Sequence, residues 1–346
     1  MGVFSQLRNQ TLRLWHDVPL PTREADATPV FQQWHKFNSP ADAWTPLDSP
    51  STTTTTTTTT GTERRSHDNK FVLVTWNIDA SSSAPEARIS ALISHIQNLT
   101  TPADIIFVQE VSRPALSALL ETPWIRENWY SSEADTAKWG KQPFASMTLV
   151  SRAWLSHSGP NNVTLGPVWR VNYPTHFQRD ALCCDVFLLP SNGSTSSSSS
   201  SSSSRVRLVN VHLDSLPINP SLRPRQLAII ASYLRAAGHG LVAGDFNPVL
   251  PEDDALVGKN GLVDAWTELH PEDDGFTWGV DGDAPFPPSR LDKVAMVGLK
   301  ASDIQVLPPG KIELTGVLKH EGNNQDDQGL AVKWSDHSGL VCSVGL

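Results

Sequence analysis

Cysteine is scarce in this chain. Three occur in 346 residues, two of them adjacent at Cys183 and Cys184, which provides neither a disulfide framework nor a Cys-x-x-Cys zinc pattern and points to a reducing compartment. Long apolar runs are missing too. None approaches the roughly 18 residues of a membrane span, and residues 1–16 lack the apolar centre of a secretion signal. Those residues carry Arg8 and Arg13 among Leu7, Leu12, Leu14 and Trp15, with no acid before Asp17. That is a weak transit-peptide resemblance, and a helix docking on the main domain is the preferred reading. Positive charge is in deficit: 27 Lys and Arg against 36 Asp and Glu leave a formal charge of −9. A broad basic surface coating nucleic acid is therefore disfavoured, whereas an enzyme meeting a short nucleic-acid stretch beside a metal ion is not. The chain also has no Gly-x-Ser-x-Gly elbow, no P-loop, no Gly-x-Gly-x-x-Gly turn and no His-Glu-x-x-His pair, which removes the usual hydrolase, nucleotide-binding and zinc signatures.

What is present can build a core: 39% of residues are hydrophobic and 12 are tryptophan, in a length that suits one large domain or two ordinary ones. Residues 1–66 are rich in Pro, Thr and polar residues and show no periodicity. They are read as a partly disordered N-terminal extension with a flexible linker at Thr52–Thr60. Phe31, Trp34, Phe37 and Trp44 are more aromatics than a disordered tail carries, so this segment is expected to lie along the main domain. That domain is assigned to 67–346. Strands are predicted at 71–77, 104–110, 145–151, 181–189, 206–212, 241–245, 291–297, 304–307 and 339–344, and helices at 86–99, 113–120 and 226–237. Cys183 and Cys184 fall inside a strand and are read as packing. The serine tract, a disordered loop at 191–204, reads as an expanded hairpin loop, since longer loops cost little extra to close. Helices alternate with strands early and strands dominate later, which favours two sheets with helices outside over a single parallel sheet.

The strands share one property. Asn77 and Asp79, Glu110, His212 with Asp214 and Ser215, Asp245 and Asn247, Asp292, and Asp336 with His337 all lie at or just beyond strand ends. Any one of them could be a cap or a turn. Buried strands that all deliver polar groups to one edge make a single site, because those groups could not be buried unpaired. Carboxylates and amides with a histidine or two suit a hard, oxygen-liganded ion, Mg²⁺ or Mn²⁺, and an ionised Asp beside such an ion can deprotonate water for in-line attack on phosphorus.

Thr75-Trp76-Asn77-Ile78-Asp79, Val108-Gln109-Glu110, Val211-His212-Leu213-Asp214-Ser215, Gly244-Asp245-Phe246-Asn247, Arg290-Leu291-Asp292-Lys293 and Ser335-Asp336-His337 follow one another in the order of the endonuclease/exonuclease/phosphatase superfamily. From about residue 70 onward the chain resembles that superfamily, which implies a DNase I-like fold: a four-layered α/β sandwich of two packed β-sheets flanked by helices. The resemblance also implies roles. Glu110 and Asn77, with Asp336 nearby, would hold the metal; Asp245 would activate water; Asn247, His212 and His337 would contact phosphate; and Asp292 would pair with His337. Arg290 offers Asp292 a surface ion pair as the alternative. Among subgroups, the Thr-Trp-Asn-Ile-Asp and His-Leu-Asp-Ser segments resemble the tyrosyl-DNA phosphodiesterases acting on 5′-tyrosyl DNA. The Tyr-x-Pro-Asn segment of abasic-site endonucleases is absent. By that resemblance Asp79 lies near the catalytic centre, Ser215 touches phosphate, and Trp278, in Phe276-Thr277-Trp278, lines a DNA channel where it would stack on a base or else pack in a turn. Arg179 could steady a phosphate or pair with Asp180, and Arg223, Arg225 and Arg290 are the other candidate cations. The implied protein is a metal-dependent DNA-repair phosphodiesterase, a monomer without a membrane partner, placed in the nucleus with the cytoplasm as second compartment. Other members of the superfamily, acting on RNA, lipid or inositol phosphate, are the alternatives, followed by a catalytically silent binding module.

Overall fold

Alternation of apolar side chains along the strands decides the layers. The computed structural model describes residues 27–47, 70–140, 142–155, 163–188, 204–282, 284–314 and 330–346. The tract at Thr52–Thr60, most of the serine loop and residues 1–16 lie outside them. In chain order the elements are β1 (Thr28–Gln32), β2 (His35–Asn38), β3 (Ala43–Pro46), β4 (Lys70–Asn77), α1 (Pro85–Gln97), β5 (Ile105–Ser112), α2 (Arg113–Glu121), α3 (Pro123–Asn128), β6 (Trp129–Ser131), β7 (Phe144–Ser151), β8 (Val163–Asn172) and β9 (Asp180–Leu188). They continue with β10 (Ser204–His212), α4 (Arg223–Ala237), β11 (His239–Asp245), α5 (Leu256–Lys259), β12 (Val263–Asp264), α6 (Ala265–Leu269), β13 (Asp292–Val297), β14 (Lys300–Leu307), β15 (Lys311–Leu314), β16 (Leu330–Lys333) and β17 (Gly339–Gly345).

One sheet runs β1-β8-β9-β10-β11-β13-β12, a second runs β14-β17-β4-β5-β7-β6-β2-β3, and β15 and β16 form a separate hairpin. The pairs β4–β5 and β10–β11 are parallel, with α1 and α4 as their crossovers. Phe71, Leu73, Ile105 and Phe107 from the second sheet meet Leu208, Leu241, Val294 and Met296 from the first in one buried layer. The alternate positions face outward. Val74, Trp76, Ile106 and Val108 pack on Ile89, Leu92, Ile93 and Ile96 of α1, and Val209, Val211 and Val242 pack on Leu227, Ile230 and Leu234 of α4. Helix, sheet, sheet, helix is the four-layered α/β sandwich of the DNase I-like fold. Helix α1 stops at Gln97, two residues before the expected end, because the Asn98 side chain folds back on the Ser94 carbonyl at 2.7 Å.

The short elements β6, β12, β15, β16, α3, α5 and α6 add to the predicted set, and two further features depart from the sequence expectation. Strand β8 was not anticipated; its register shifts between Leu165 and Val168, around a Gly-Pro step that hides a strand pattern. The segment 28–46, on the far side of the compositional boundary at 66/67, supplies strands to both sheets. β1 pairs antiparallel with β8, and β2 joins β6 through His35 and Ser131. Trp34, only 5% exposed, sits between them in the inter-sheet layer and donates its indole N–H to the Gly166 carbonyl at 2.9 Å. Trp44 donates to the Leu120 carbonyl at 3.1 Å, and Arg126 lies over the Phe37 ring at 4.3 Å. Phe31 stays outside, against Trp169. All three cysteines are buried and unbridged, their thiols pushed up by burial.

Candidate active site

The inward-facing row of each strand turns polar at the same end. Phe71 and Leu73 give way to Thr75 and Asn77; Ile105 and Phe107 to Gln109; Leu208 to Asn210 and His212; and Leu241 and Ala243 to Asp245. Side-chain period two therefore puts these groups at one mouth of the inter-sheet layer. In register, Asp245 lies opposite both His212 and Asp292, while Asn77 pairs with Gln109. Phe246 faces out into the α4 layer.

Asp245 is the hub. Its Oδ2 accepts the Asn77 amide at 3.0 Å and has His212 Nε2 at 3.4 Å and His337 Nε2 at 4.0 Å, while Oδ1 accepts the Asn247 backbone amide at 2.9 Å. Burial pushes its carboxyl up to about 7; the His337 cation pulls the other way and Asp292 adds to the rise. His337 Nδ1 is bonded to Asp292 Oδ2 at 2.8 Å. Burial alone would lower that imidazole, but Asp292, with Asp245 and Asp336, outweighs it and lifts the ring to about 10. His337 is thus a cation at neutral pH, fixed from behind: its amide donates to Ser335 Oγ, whose hydroxyl donates to the Asn77 carbonyl, and its own carbonyl accepts the Trp76 indole.

His212 behaves oppositely. Burial, then the Arg179 and His337 charges, lower it well below its ordinary range. Arg179 Nη1 lies 2.7 Å from His212 Nδ1. A guanidinium can only donate, so Nδ1 carries the lone pair, Nε2 carries the proton, and that N–H faces Asp245 Oδ2 at 3.4 Å and Glu110 Oε1 at 3.8 Å. Glu110 holds a left-handed backbone at φ 58°, and its Oε2 accepts the Ala80 amide at 2.8 Å.

The structure brings Asn77, Glu110, His212, Asp245, Asp292 and His337 together, with Arg179 against His212. It gives the remaining candidates other partners. Asp79 turns its carboxylate to the buried Arg88 at 3.2 Å and to the Ser81–Ser82 turn. Asn247 uses its side-chain amide to brace the Leu213 carbonyl at 3.1 Å. Asp336 is exposed and accepts the Trp278 indole at 3.1 Å, so this acid and this ring form a pair beside His337. Ser215 is half-buried on the loop after β10. Arg179 does not pair with Asp180, which Arg170 holds through both oxygens. Arg223 and Arg290 do not form a cationic framework, since Arg223 is buried on Asp253 and Arg290 grips Asp264; the Asp292–Arg290 alternative falls with it. Sequence reasoning missed the support beneath the site: Gln109 donates to Thr75 and to Asn210, which donates in turn to the Met147 and Val108 carbonyls. The available signal was a polar residue at an inward position of an apolar strand.

The Glu110 carboxylate offers oxygen donors that suit Mg²⁺; the Asn77 amide turns its nitrogen to Glu110 and Asp245 and its oxygen to the Asp79 amide. Among the described residues no three acidic, imidazole or thiol groups form a ready cage; Mg²⁺ keeps several waters and takes one or two carboxylates, a demand these residues can meet.

The His337–Asp292 pair leads to an expected pH profile. A histidine raised to about 10 from 6.5 adds stability that is fully present below about 6.5 and is lost as pH rises through about 10. In metal-free protein the denaturation midpoint should fall between about pH 7 and pH 10, and less so in His337→Gln. Parallel curves for the two proteins would refute the pairing.

The family model described as Endonuclease/Exonuclease/phosphatase family matches residues 74–337, from inside β4 to His337 itself. The chain belongs to that family. No curated protein matches it in sequence. Among solved structures, D. rerio TDP2 humanized by 14 mutations superposes with a TM-score of 0.56 at 18% identity, covering 80% of this chain and 100% of that one. TDP2 of Caenorhabditis elegans, in truncated form, gives 0.53 at 18%, with 80% and 98% covered. The Bacteroides thetaiotaomicron mannosyl-6-phosphatase Bt3783 gives 0.50 at 13%, with 80% and 100% covered. At these identities the likeness is one of fold. TDP2 structures and a sugar phosphatase share that fold alike.

Proposed function

We propose that the protein is a Mg²⁺-dependent phosphodiesterase acting on DNA 5′ ends that carry a covalent protein tyrosine. The observation that carries the hydrolytic reading is the row Asp292–His337–Asp245, with 2.8 and 4.0 Å between successive members. One end is a carboxylate, the middle a cation, and the other end a carboxyl pushed up to about 7. A base near neutrality is well matched to taking a proton from water, and a fixed cation beside it stabilises charge developing on phosphoryl oxygens. His212 Nε2–H offers a second donor from the other side. Glu110, braced by the Asn77 amide at 3.4 Å, would hold Mg²⁺, which when bound supplies charge neutralisation at a phosphoryl oxygen.

The tyrosyl reading is supported by the sequence resemblance and by a groove beside His212 lined by Pro143, Phe144, Phe177, Gln178 and Arg179. The Arg179 guanidinium lies 4.8 Å from the Phe144 ring centroid, and its buried Nε has no hydrogen-bond partner among the described residues. Such a cleft takes a flat aromatic group on its rings and an anion on the spare N–H. A D. rerio TDP2 has been solved with single-strand DNA product, and in this chain Trp278 is the aromatic that would stack on a base. A monomer working in the nucleus, with the cytoplasm second, completes the proposal.

The test is a panel: 5′-tyrosyl oligonucleotide, abasic duplex, poly(A) and a lipid phosphodiester, each with Mg²⁺ and with EDTA. The tyrosyl oligonucleotide should give the highest kcat/KM, and EDTA should abolish turnover of it. Preference for another substrate would retire the tyrosyl assignment alone, and turnover surviving complete metal removal would retire the metal.

A further inference from the structure

Asp214 lies two residues beyond His212, yet its carboxylate turns away from the reacting groups. Oδ2 accepts the His176 amide at 2.8 Å, and Oδ1 accepts the Thr175 hydroxyl. The Thr175 oxygen accepts two further backbone amides, Phe177 at 3.0 Å and Arg179 at 3.1 Å. Arg179 then reaches back to His212 Nδ1 at 2.7 Å. These contacts close a ring: the chain from His212 to Asp214, the Asp214 carboxylate, Thr175, the Arg179 backbone, and the Arg179 guanidinium on the imidazole where the ring began. Asp214 is an immobile base for it, 2% exposed, with its amide on Gln226 Oε1 at 3.0 Å and its carbonyl on Arg223 Nη1 at 2.8 Å.

We propose that Asp214 is a positioning residue that acts through Thr175 and Arg179 to lock His212 in its Nε2–H tautomer, aiming that N–H at Asp245 and at an incoming phosphoryl oxygen. The use of the N–H on a phosphate rests on the phosphodiesterase reading above; the tautomer lock does not. A carboxylate serving only as a loop cap would predict something different. Its loss would loosen residues 175–177 and leave the imidazole alone, since the His212 backbone is held by the β10–β11 ladder. In a transmitting ring the loss reaches the imidazole, because the short contact from the Arg179 donor fixes Nδ1 as the acceptor, while Asp245 and Glu110 stand off Nε2 at 3.4 and 3.8 Å.

The experiment uses the full chain carrying ¹³C,¹⁵N-labelled histidine. Ring carbon and nitrogen shifts distinguish the two neutral tautomers, and the His212 signals are assigned by their disappearance in His212→Gln. Wild type should show Nε2–H. Asp214→Ala and the near-isosteric Thr175→Val should both move His212 to a mixture or to Nδ1–H, whereas Thr175→Ser, which keeps the hydroxyl, should retain the wild-type signal. On the best phosphodiester of the panel, kcat should fall about tenfold or more in the two disruptive variants, with KM changed much less, as expected when a donor is misaimed. A His212 that stays Nε2–H in folded Thr175→Val overturns the lock, and that variant decides the matter if Asp214→Ala does not fold. A shifted tautomer with unchanged turnover would uphold the lock and overturn the use of His212 in hydrolysis.

Discussion

Asp245→Asn is expected to lower kcat/KM by about 10³-fold or more with the fold intact, a loss of the size that follows removal of a general base. The amide keeps one oxygen in place of the carboxylate, enough to accept from the Asn247 amide (2.9 Å in the native protein) or from Asn77. What disappears is the group that can take a proton. The stability sign is the reverse of the activity sign. A carboxyl raised from 3.8 to about 7 contributes stability that is lost as pH rises through about 7, so at pH 8 the native protein bears a cost that an uncharged amide does not. The metal-free variant should therefore melt at or above the native temperature at pH 8. Kinetics on the preferred substrate, with melting curves at pH 8, check both halves. Activity within tenfold of native would remove Asp245 from its role.

Among the glycines of the described residues, Gly244→Ala should be the most damaging change to alanine. Gly244 precedes Asp245 with φ at 135°, and a Cβ there would lie 2.0 Å from the Val211 carbonyl oxygen and 3.0 Å from Gln109 Nε2. The first obstacle is backbone of the neighbouring strand, one residue before His212, and cannot swing aside. Backbone strain of about 1–3 kcal/mol and overpacking of similar size together suggest a loss of about 4 kcal/mol, a large share of the roughly 5–15 kcal/mol that holds a domain folded. Chemical denaturation measures it; a loss under about 1 kcal/mol would mean that β10 and β11 can part at no cost. Activity should fall as well, because the displaced strands carry Asp245 and His212.

Much of this was legible in the sequence. The strand-end residues were found because an apolar row that ends on an acid or an imidazole, as in β10 and β11, is a strong signal when an acid also opens β13 at the same edge, and their order carried the family. Partnership was not legible. Whether Arg179 meets Asp180 or His212 depends on Arg170, which comes from β8, a strand whose pattern a Gly-Pro step concealed. Arg223 and Arg290 looked like cations for DNA because a sequence does not show Asp253 and Asp264 waiting beside them. Asp336 and Asp79 sit within two residues of site groups, yet one meets Trp278 and the other Arg88, since neighbours along a loop need not share a direction.

The segment from Thr28 to Pro46 borders both sheets, with Trp34 between its β1 and β2 strands in the shared interior. One short stretch thus spans the two halves of the sandwich on the side where neither sheet closes on itself. The sheets cannot separate at that border without β1 leaving β8 or β2 leaving β6, and either departure draws Trp34 into water. Opening there is therefore cooperative: the sandwich unfolds as one unit at this border, and a chain beginning at residue 67 would present two bare strand edges, of β8 and of β6, for other molecules to join.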